Sequence, residues 1–287
     1  MSTPKKFIQY HYDPSKPAAI TLTVLFALTT LLHIYQSILL RKRLAWFMLP
    51  FILGSTLETL GYAARISSSN NPTAQTPYIL QTLFILLAPA LMAASIYMIL
   101  GRIIKLTRGA AFALIRRNWL TGIFVLGDIL SIVTQAVGGI MLTSSKGTLQ
   151  EQKDRKIKGK NIILGGLFIQ IVFFAFFILV CVLFQVRGKQ HFKKLNPNLA
   201  WRKHMYALYA VSLLIFARSI VRVVEFAQGI DGYVYSHEVF LYVFDGALMF
   251  IAMACMNAVH PAEITELLRD GVRLEGSEMG RLDRVGV

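Results

Sequence analysis

The sequence predicts an all-α, polytopic membrane protein that forms a bundle of seven transmembrane helices. Hydrophobic residues make up 55% of the 287 residues, charged residues make up only 16%, and the mean hydropathy is +0.55. Soluble domains contain about 25% charged residues, and a membrane-spanning helix needs roughly 20 mostly apolar residues. Apolar runs of that length recur along nearly the whole chain, so a membrane bundle is favoured over one or two soluble domains.

Seven apolar runs are long enough to cross a bilayer. In chain order, the predicted spans are Ala18–Leu40, Leu44–Ile66, Tyr78–Ile104, Trp119–Leu142, Ile162–Val186, Met205–Ala227 and Val239–Val259. Residues 1–17 form a segment before the first span and residues 260–287 form a tail after the last. Because the connections are short, no globular domain fits between the spans.

Proline and glycine residues inside the predicted spans indicate local helix geometry. Pro50 and Pro89 each remove a backbone hydrogen bond and are expected to kink spans 2 and 3. The pairs Gly138-Gly139 in span 4 and Gly165-Gly166 in span 5 allow neighbouring helices to approach closely. We interpret both glycine pairs as packing features.

The basic residues predict the orientation of the bundle. The loops after spans 1, 3 and 5 and the tail contain seventeen Lys and Arg, against nine in segment 1–17 and the loop between spans 4 and 5; the loops after spans 2 and 6 contain none. The positive-inside rule therefore places segment 1–17 outside and tail 260–287 in the cytoplasm. Because the net charge of +15 comes mainly from these short clusters, it indicates topology and anionic headgroups rather than nucleic acid.

Eight ionisable side chains lie at or within four of the predicted spans. They are Glu58 and Arg65 in span 2, Asp128 in span 4, Arg218, Arg222 and Glu225 in span 6, and Glu238 and Asp245 in span 7. A charged side chain at the bilayer centre costs roughly 2.5–3.5 kcal/mol on insertion scales, so each should face protein, water or a substrate. Helical spacing places them in one polar stripe per helix, and we expect all four stripes to face a common interior.

The depth of these residues divides them into two groups of candidates. Three carboxylates are candidates for substrate binding: Glu58, Asp128 and Asp245. Five residues are candidates for a structural ion-pair network: Arg65, Arg218, Arg222, Glu225 and Glu238. Only Arg218 is basic at the depth of the three carboxylates, so at least one of them should lack a basic partner and be available to a cation.

Two readings of the eight residues stay open at this point. All of them could form buried ion pairs that fix the register of the helices. In that network, Arg222 and Glu225 are expected to contact Glu238 or Arg65. Alternatively, a carboxylate without a basic partner, Asp245 or Glu58, binds a cationic ligand.

Several signatures of enzymes and pumps are missing from the sequence. There is no GxxxxGK[ST] loop, which argues against an ATP-driven pump. There is also no GxSxG elbow and no cluster of histidines at the spacing of a metal centre. We therefore expect no catalytic residues, no metal, no cofactor and no enzymatic activity. Cys181 and Cys255 fall inside apolar runs and are interpreted as small apolar side chains.

A series of short motifs follows one another along nearly the whole chain. They are Tyr12-Asp13-Pro14-Ser15; Glu58-x-x-Gly61-Tyr62-x-x-Arg65; Ala88-Pro89, Ala94-x-x-Tyr97 and Gly101-Arg102; Asp128, Gln135 and Gly138-Gly139; Gly166-Leu167-x-x-Gln170; Arg218-x-x-x-Arg222-x-x-Glu225-x-x-x-Gly229; Glu238 and Asp245; and His260-Pro261. In the order and spacing of these motifs, the chain resembles the fungal lipid-translocating exporters, also called aminocholesterol-resistance or RTA-like proteins.

This resemblance implies a seven-span protein of a fungal membrane, most simply the plasma membrane, with its N-terminus outside. It also implies release or translocation of sphingoid long-chain bases, resistance to toxic amphiphiles and, in one branch, porphyrin uptake. The expected partners are membrane lipids and a cationic amphiphile. A seven-span sensor of lipid or membrane stress is the alternative, and a membrane hydrolase is a third reading that the missing motifs disfavour.

Overall fold

A computed structural model of the chain describes residues 14–40, 46–70, 74–143, 148–195, 200–228 and 237–269. Over these ranges the regular secondary structure is entirely helical. The helices are α1 (Lys16–Tyr35, continued by a π-helical turn Gln36–Leu40), α2 (Leu49–Asn70), α3 (Gln75–Leu106), α4 (Arg117–Thr143), α5 (Leu149–Arg187), the short α6 (Lys189–Lys193), α7 (Trp201–Gln228), α8 (238–258) and α9 (262–269).

Six segments within the described ranges are long and apolar enough to cross a membrane. They are Lys16–Ile38, Thr76–Leu106, Arg117–Leu142, Gln150–Arg187, Trp201–Gln228 and Glu238–Arg269. Helix α2 is not among them, although its 22 residues would extend about 33 Å at 1.5 Å per residue. Its sequence is more polar, because it contains Glu58, Arg65 and a series of Ser and Thr residues.

The packing places α2 between α1 and α3, α4 against α5, and α7 against α3, α5 and α8, while α1 also contacts α8. The interior is rich in aromatic side chains: Phe26, Phe51, Tyr97 and Phe177 are all fully buried. Many large aliphatic side chains instead lie on the outer surface of the helices. This distribution is that of a bundle in lipid, where the outer face stays apolar and polar groups turn inward.

Helix α5 begins thirteen residues earlier than the predicted span. The sequence prediction of a basic loop up to Lys160 is wrong, because Lys153–Lys160 lie on α5. A capping box starts the helix: the side chain of Thr148 accepts a hydrogen bond from the amide of Glu151, and Glu151 accepts one from the amide of Thr148. A charged stretch can continue a helix beyond the bilayer, so apolarity alone misplaced its start.

Pro50 also differs from its prediction. It is the second residue of α2, directly after a 3₁₀ turn (Trp46–Met48), and proline is tolerated in the first turn of a helix. Pro50 therefore begins α2 rather than interrupting it. Pro89 does lie inside a helix, because α3 continues through it to Leu106.

Only one glycine of each predicted pair faces a neighbouring helix. A Cβ atom at Gly138 would lie 2.7 Å from the carbonyl oxygen of Gly159, and one at Gly166 would lie 2.9 Å from the carbonyl oxygen of Ser131. A Cβ atom at Gly139 or at Gly165 would meet nothing within 4 Å. Helices α4 and α5 therefore approach through Gly138 and Gly166.

The substitution Gly138→Ala should destabilise the protein, because the added methyl group has no space between α4 and α5. Overpacking of this kind costs about 1–3 kcal/mol. Gly139→Ala is the matched control: it makes the same change one residue away, where the methyl group meets open space. Thermal unfolding of the two purified variants in detergent measures the difference. Equal melting temperatures would contradict this account of the α4–α5 contact.

Candidate functional site

Helices α2, α7 and α8 bring seven of the eight ionisable residues into two groups. The first group, the central cluster, consists of Arg218, Arg222, Glu225 and Asp245, with Glu58 beside them. The second group, the terminal clamp, consists of Arg65 and Glu238 together with Ser15 and Tyr242.

Asp245 connects the two arginines of the central cluster. One carboxylate oxygen pairs with Nε of Arg218, and the other accepts a hydrogen bond of 2.9 Å from Nη2 of Arg222. Arg222 also donates through Nη1 to Glu225 at 3.1 Å, and Arg218 donates through Nη2 to the carbonyl oxygen of Ile85 at 2.7 Å. This arrangement ties α8 to α7 through Asp245, and α7 to α3 through Ile85.

A π-helical segment, Leu241–Ala247, places Asp245 in this position within α8. The predicted contact of Arg222 with Glu238 or Arg65 is wrong, because Arg222 binds Asp245 and Glu225 instead. The prediction used regular α-helical spacing between Glu238 and Asp245. A π-helical segment bonds residues i and i+5, which changes the direction of the side chains that follow.

Glu58 is the residue of the central cluster without a hydrogen bond. Its side chain is 0% exposed, and neither carboxyl oxygen has a hydrogen-bond partner within the described part of the chain. The charges of Asp245, Arg218 and Arg222 all act on it. Two arginines thus face three carboxyl groups, those of Glu58, Glu225 and Asp245. The expectation that one carboxylate lacks a basic partner of its own holds for Glu58.

Tyr62 lies one helical turn after Glu58, and its hydroxyl group is also buried without a hydrogen-bond partner in the described ranges. Its ring stacks on Phe26 at 5.3 Å between centroids. On the other side is Gly246, where a Cβ atom would lie only 2.8 Å from the hydroxyl oxygen of Tyr62. The sequence prediction did not assign Tyr62 to the site, although its i+4 spacing from Glu58 places both on one face of α2.

The terminal clamp joins the beginning of α1, the end of α2 and the beginning of α8. Arg65 and Glu238 form an ion pair of 2.6 Å, and the amide of Ser15 donates to both carboxylate oxygens of Glu238 at 3.0 and 2.9 Å. Tyr242 accepts a hydrogen bond from Nε of Arg65 at 3.1 Å and donates one to the carbonyl oxygen of Ser15 at 3.0 Å. These contacts hold the three helix ends together; that Arg65 and Glu238 serve only a structural role stays a prediction.

Asp128 does not join the other ionisable residues. It accepts a hydrogen bond of 2.9 Å from the hydroxyl group of Tyr97 on α3, among the rings of Phe124, Phe174 and Phe177. The expectation that all four polar stripes face one interior is therefore wrong for α4. The polar stripe of α4 faces α3 and α5. On α5, the carbonyl oxygen of Gly166 accepts a hydrogen bond from Ser131, and the side chain of Gln170 accepts one from Gln135. Whether Asp128 contacts substrate stays a prediction.

Within the described ranges, no group of three or more His, Cys, Asp or Glu residues could hold a metal ion. Beside the arginines of the central cluster, the buried polar atoms without a hydrogen-bond partner in the described ranges include both carboxyl oxygens of Glu58 and the hydroxyl of Tyr62. A buried carboxylate next to a buried hydroxyl can bind a small cationic group that also donates hydrogen bonds, such as an ammonium.

Comparison with known proteins identifies relatives along most of the chain. Residues 51–267 match the family described as "RTA1 like protein". The chain is 34% identical to protoporphyrin uptake protein 1 of Saccharomyces cerevisiae over 89% of this chain and 93% of the relative, and 38% identical to protein RTA1 of the same yeast over 89% and 85%. It is 28% identical to the sphingoid long-chain base transporter RSB1 of S. cerevisiae, over 84% of this chain and 70% of the relative. No solved structure matches significantly.

Arg222→Ala should sharply lower the amount of folded protein, because it leaves the buried Asp245 and the partly buried Glu225 without this partner. Removing one member of a buried ion pair costs about 3–5 kcal/mol. Lys203→Ala is the control, because the ion pair of Lys203 with Glu263 is 2.7 Å long but its lysine is 48% exposed. Such surface pairs contribute about 0–1 kcal/mol. Membrane abundance and melting temperature in detergent are the measurements; equal values for the two variants would remove Arg222 from the structural network.

Proposed function

The chain belongs to the RTA1-like family of fungal membrane proteins, and from that premise we propose that it translocates or exports a cationic, single-chain or sterol-like amphiphile. It is an integral, multi-pass membrane protein related to lipid transporters. The substrate class suggested first is the sphingoid long-chain base, which carries one amine on one hydrocarbon chain. In this proposal the protein binds and translocates its substrate and catalyses no reaction.

The observation that carries this proposal is the unpaired, fully buried carboxyl group of Glu58. An isolated charge away from water is costly, and a buried polar group without a hydrogen bond also costs free energy. An ammonium group bound beside Glu58 would supply both the missing positive charge and the missing donors. The central cluster would then contain three positive and three negative groups.

The amine of a sphingoid base loses its hydration when it leaves the aqueous phase. Glu58 replaces that hydration with a charge-assisted hydrogen bond, which is shorter and stronger than a neutral one. The hydroxyl group of Tyr62, one turn away and also unpartnered in the described ranges, could hydrogen-bond a hydroxyl group next to the amine. Asp245 is less suited to this role, since both of its oxygens already face arginines.

The same proposal includes seven spans, an outside N-terminus and a location in the plasma membrane. Helix α2 would be the seventh span, because its length suffices and its polar residues point to α7 and α8 rather than to lipid. The terminal clamp supports this topology, since it holds together the start of α1, the end of α2 and the start of α8. In antiparallel spans these three ends lie on the same side of the membrane.

Cysteine labelling at the two ends of α5 tests the orientation. Gln150 lies in the first turn of α5, and Gln190 lies in α6, just beyond the other end of α5. Both side chains are exposed. In a background in which Cys181 and Cys255 are replaced by alanine, a membrane-impermeant maleimide should label Gln150→Cys on intact cells. It should label Gln190→Cys only after permeabilisation. The reverse pattern would overturn the proposed orientation.

Glu58→Gln should abolish protein-dependent translocation of a fluorescent long-chain base across liposome membranes while the protein stays folded. The substitution keeps the shape of the side chain and removes its charge, and it breaks no ion pair of Glu58 with a residue that the structure describes. Asp154→Asn is the control, because it makes the same chemical change at an exposed position of α5. Asp128→Asn, assayed in parallel, tests the second predicted carboxylate.

The outcomes of this assay separate the competing functions. Wild-type translocation by the folded Glu58→Gln protein would reject the carboxylate–amine contact. If the wild-type protein itself binds the long-chain base but does not accelerate its crossing, the sensor reading replaces the transporter.

A further inference from the structure

A groove with apolar walls lies between α5 and α7, at the end of the bundle where α5 finishes and α7 begins. Its volume is about 480 Å³, and it is lined by Val182, Gln185, Val186, Lys189 and Tyr209. Small-molecule sites in proteins have volumes of about 300–1,000 Å³. We call this groove together with its extension, described next, the α5–α7 groove.

The extension continues toward the end of the helices and is basic. It has a volume of about 220 Å³, shares Gln185 and Lys189 with the first part, and adds Lys193 and Arg202. No acidic residue of the described ranges lines either part. The acidic side chain of Glu263 is engaged elsewhere at this end, with Lys203.

The apolar part opens sideways, toward the surface that lipid would cover. Val182 is 41% exposed and Val186 is 63% exposed, although both are aliphatic. The hydroxyl group of Tyr209, on the opposite wall, is buried and has no hydrogen-bond partner among the described residues. Trp201 and Tyr206 lie beside the basic part, and such residues are enriched at the depth of lipid headgroups.

We propose that the α5–α7 groove binds one phospholipid with an anionic headgroup, with a hydrocarbon chain along Val182 and Val186 and the phosphate among Lys189, Lys193 and Arg202. Basic pockets between transmembrane helices on the cytoplasmic side bind anionic headgroups for the same electrostatic reason. In the orientation proposed above, this end faces the cytoplasmic leaflet, which contains the anionic lipids. The site is distinct from the central cluster and does not depend on translocation.

Lipid binding to the purified, full-length protein in detergent tests the site. Native mass spectrometry with dioleoyl-phosphatidylserine and dioleoyl-phosphatidylcholine should show tighter binding of the anionic lipid to the wild-type protein. The triple variant Lys189→Gln, Lys193→Gln, Arg202→Gln should bind phosphatidylserine at least about tenfold more weakly, since one basic residue near a membrane surface contributes roughly fivefold. Phosphatidylcholine binding should change little.

A charge-matched control lies on the other end of α5. The triple variant Lys153→Gln, Lys156→Gln, Lys158→Gln removes the same charge from exposed positions and should retain wild-type lipid binding. Equal weakening by the two triple variants would show that net charge, rather than the groove, attracts the lipid, and would overturn the proposal.

A second pair of variants tests the apolar part and guards against misfolding of the first. Val186→Trp fills the groove and should weaken phosphatidylserine binding, whereas Val172→Trp, at a similarly exposed position of α5, should not. Soluble glycerophosphoserine and inorganic phosphate, added as competitors, distinguish a lipid site from a free-phosphate site. Full competition by millimolar phosphate, or wild-type affinity in Val186→Trp, would reject a phospholipid as the occupant.

Discussion

The pairing of Asp245 with two arginines is the interaction on which the interior of this bundle depends. Arg218 and Arg222 lie one turn apart on α7; Arg218 is buried and Arg222 is mostly buried. Each would be very costly in a low-dielectric interior without a negative partner. Asp245 provides one oxygen to each of them, and Glu225 is a second acidic partner of Arg222, so two carboxylates offset the two positive charges. Because Arg218 also binds a backbone carbonyl of α3, the same contact positions three helices relative to one another.

Several local features of the chain follow from this requirement. The π-helical segment of α8 turns Asp245 toward α7, and Gly246, its neighbour, lets α8 approach the hydroxyl group of Tyr62. Tyr62 and Glu58 occupy one face of α2, so α2 completes the wall around the arginines. The terminal clamp at Arg65 then fixes the end of α2 against α1 and α8. Helix α2 is not among the segments apolar enough to cross a membrane by composition alone, and its polar residues make the contacts that hold it in the bundle.

The sequence could predict which residues form this site better than which of them contact one another. The apolar runs and the helical spacing of the charged residues predicted the long helices and the presence of a carboxylate without its own base. The regular α-helical spacing that the prediction assumed for α8 does not reveal its π-helical segment, so the predicted partner of Arg222 was wrong. For Asp128, the hydrogen bond to Tyr97 depends on which faces of α3 and α4 meet, and that is a tertiary property. The early start of α5 was readable from the sequence: Thr148 and Glu151 have the spacing of a capping box, which hydropathy ignores.

The charge balance of the central cluster also bears on selectivity in the proposed transporter. A ligand with one ammonium group brings the single positive charge that offsets the third carboxylate. A zwitterionic phospholipid adds a phosphate beside its ammonium group, so its net charge is zero and it would leave the excess negative charge of the cluster in place. Specificity is a difference between the affinities for two ligands, and this difference in net charge contributes to it. In the proposed transporter, the charge balance of the cluster would therefore favour a ligand with a single ammonium group over the zwitterionic membrane phospholipids.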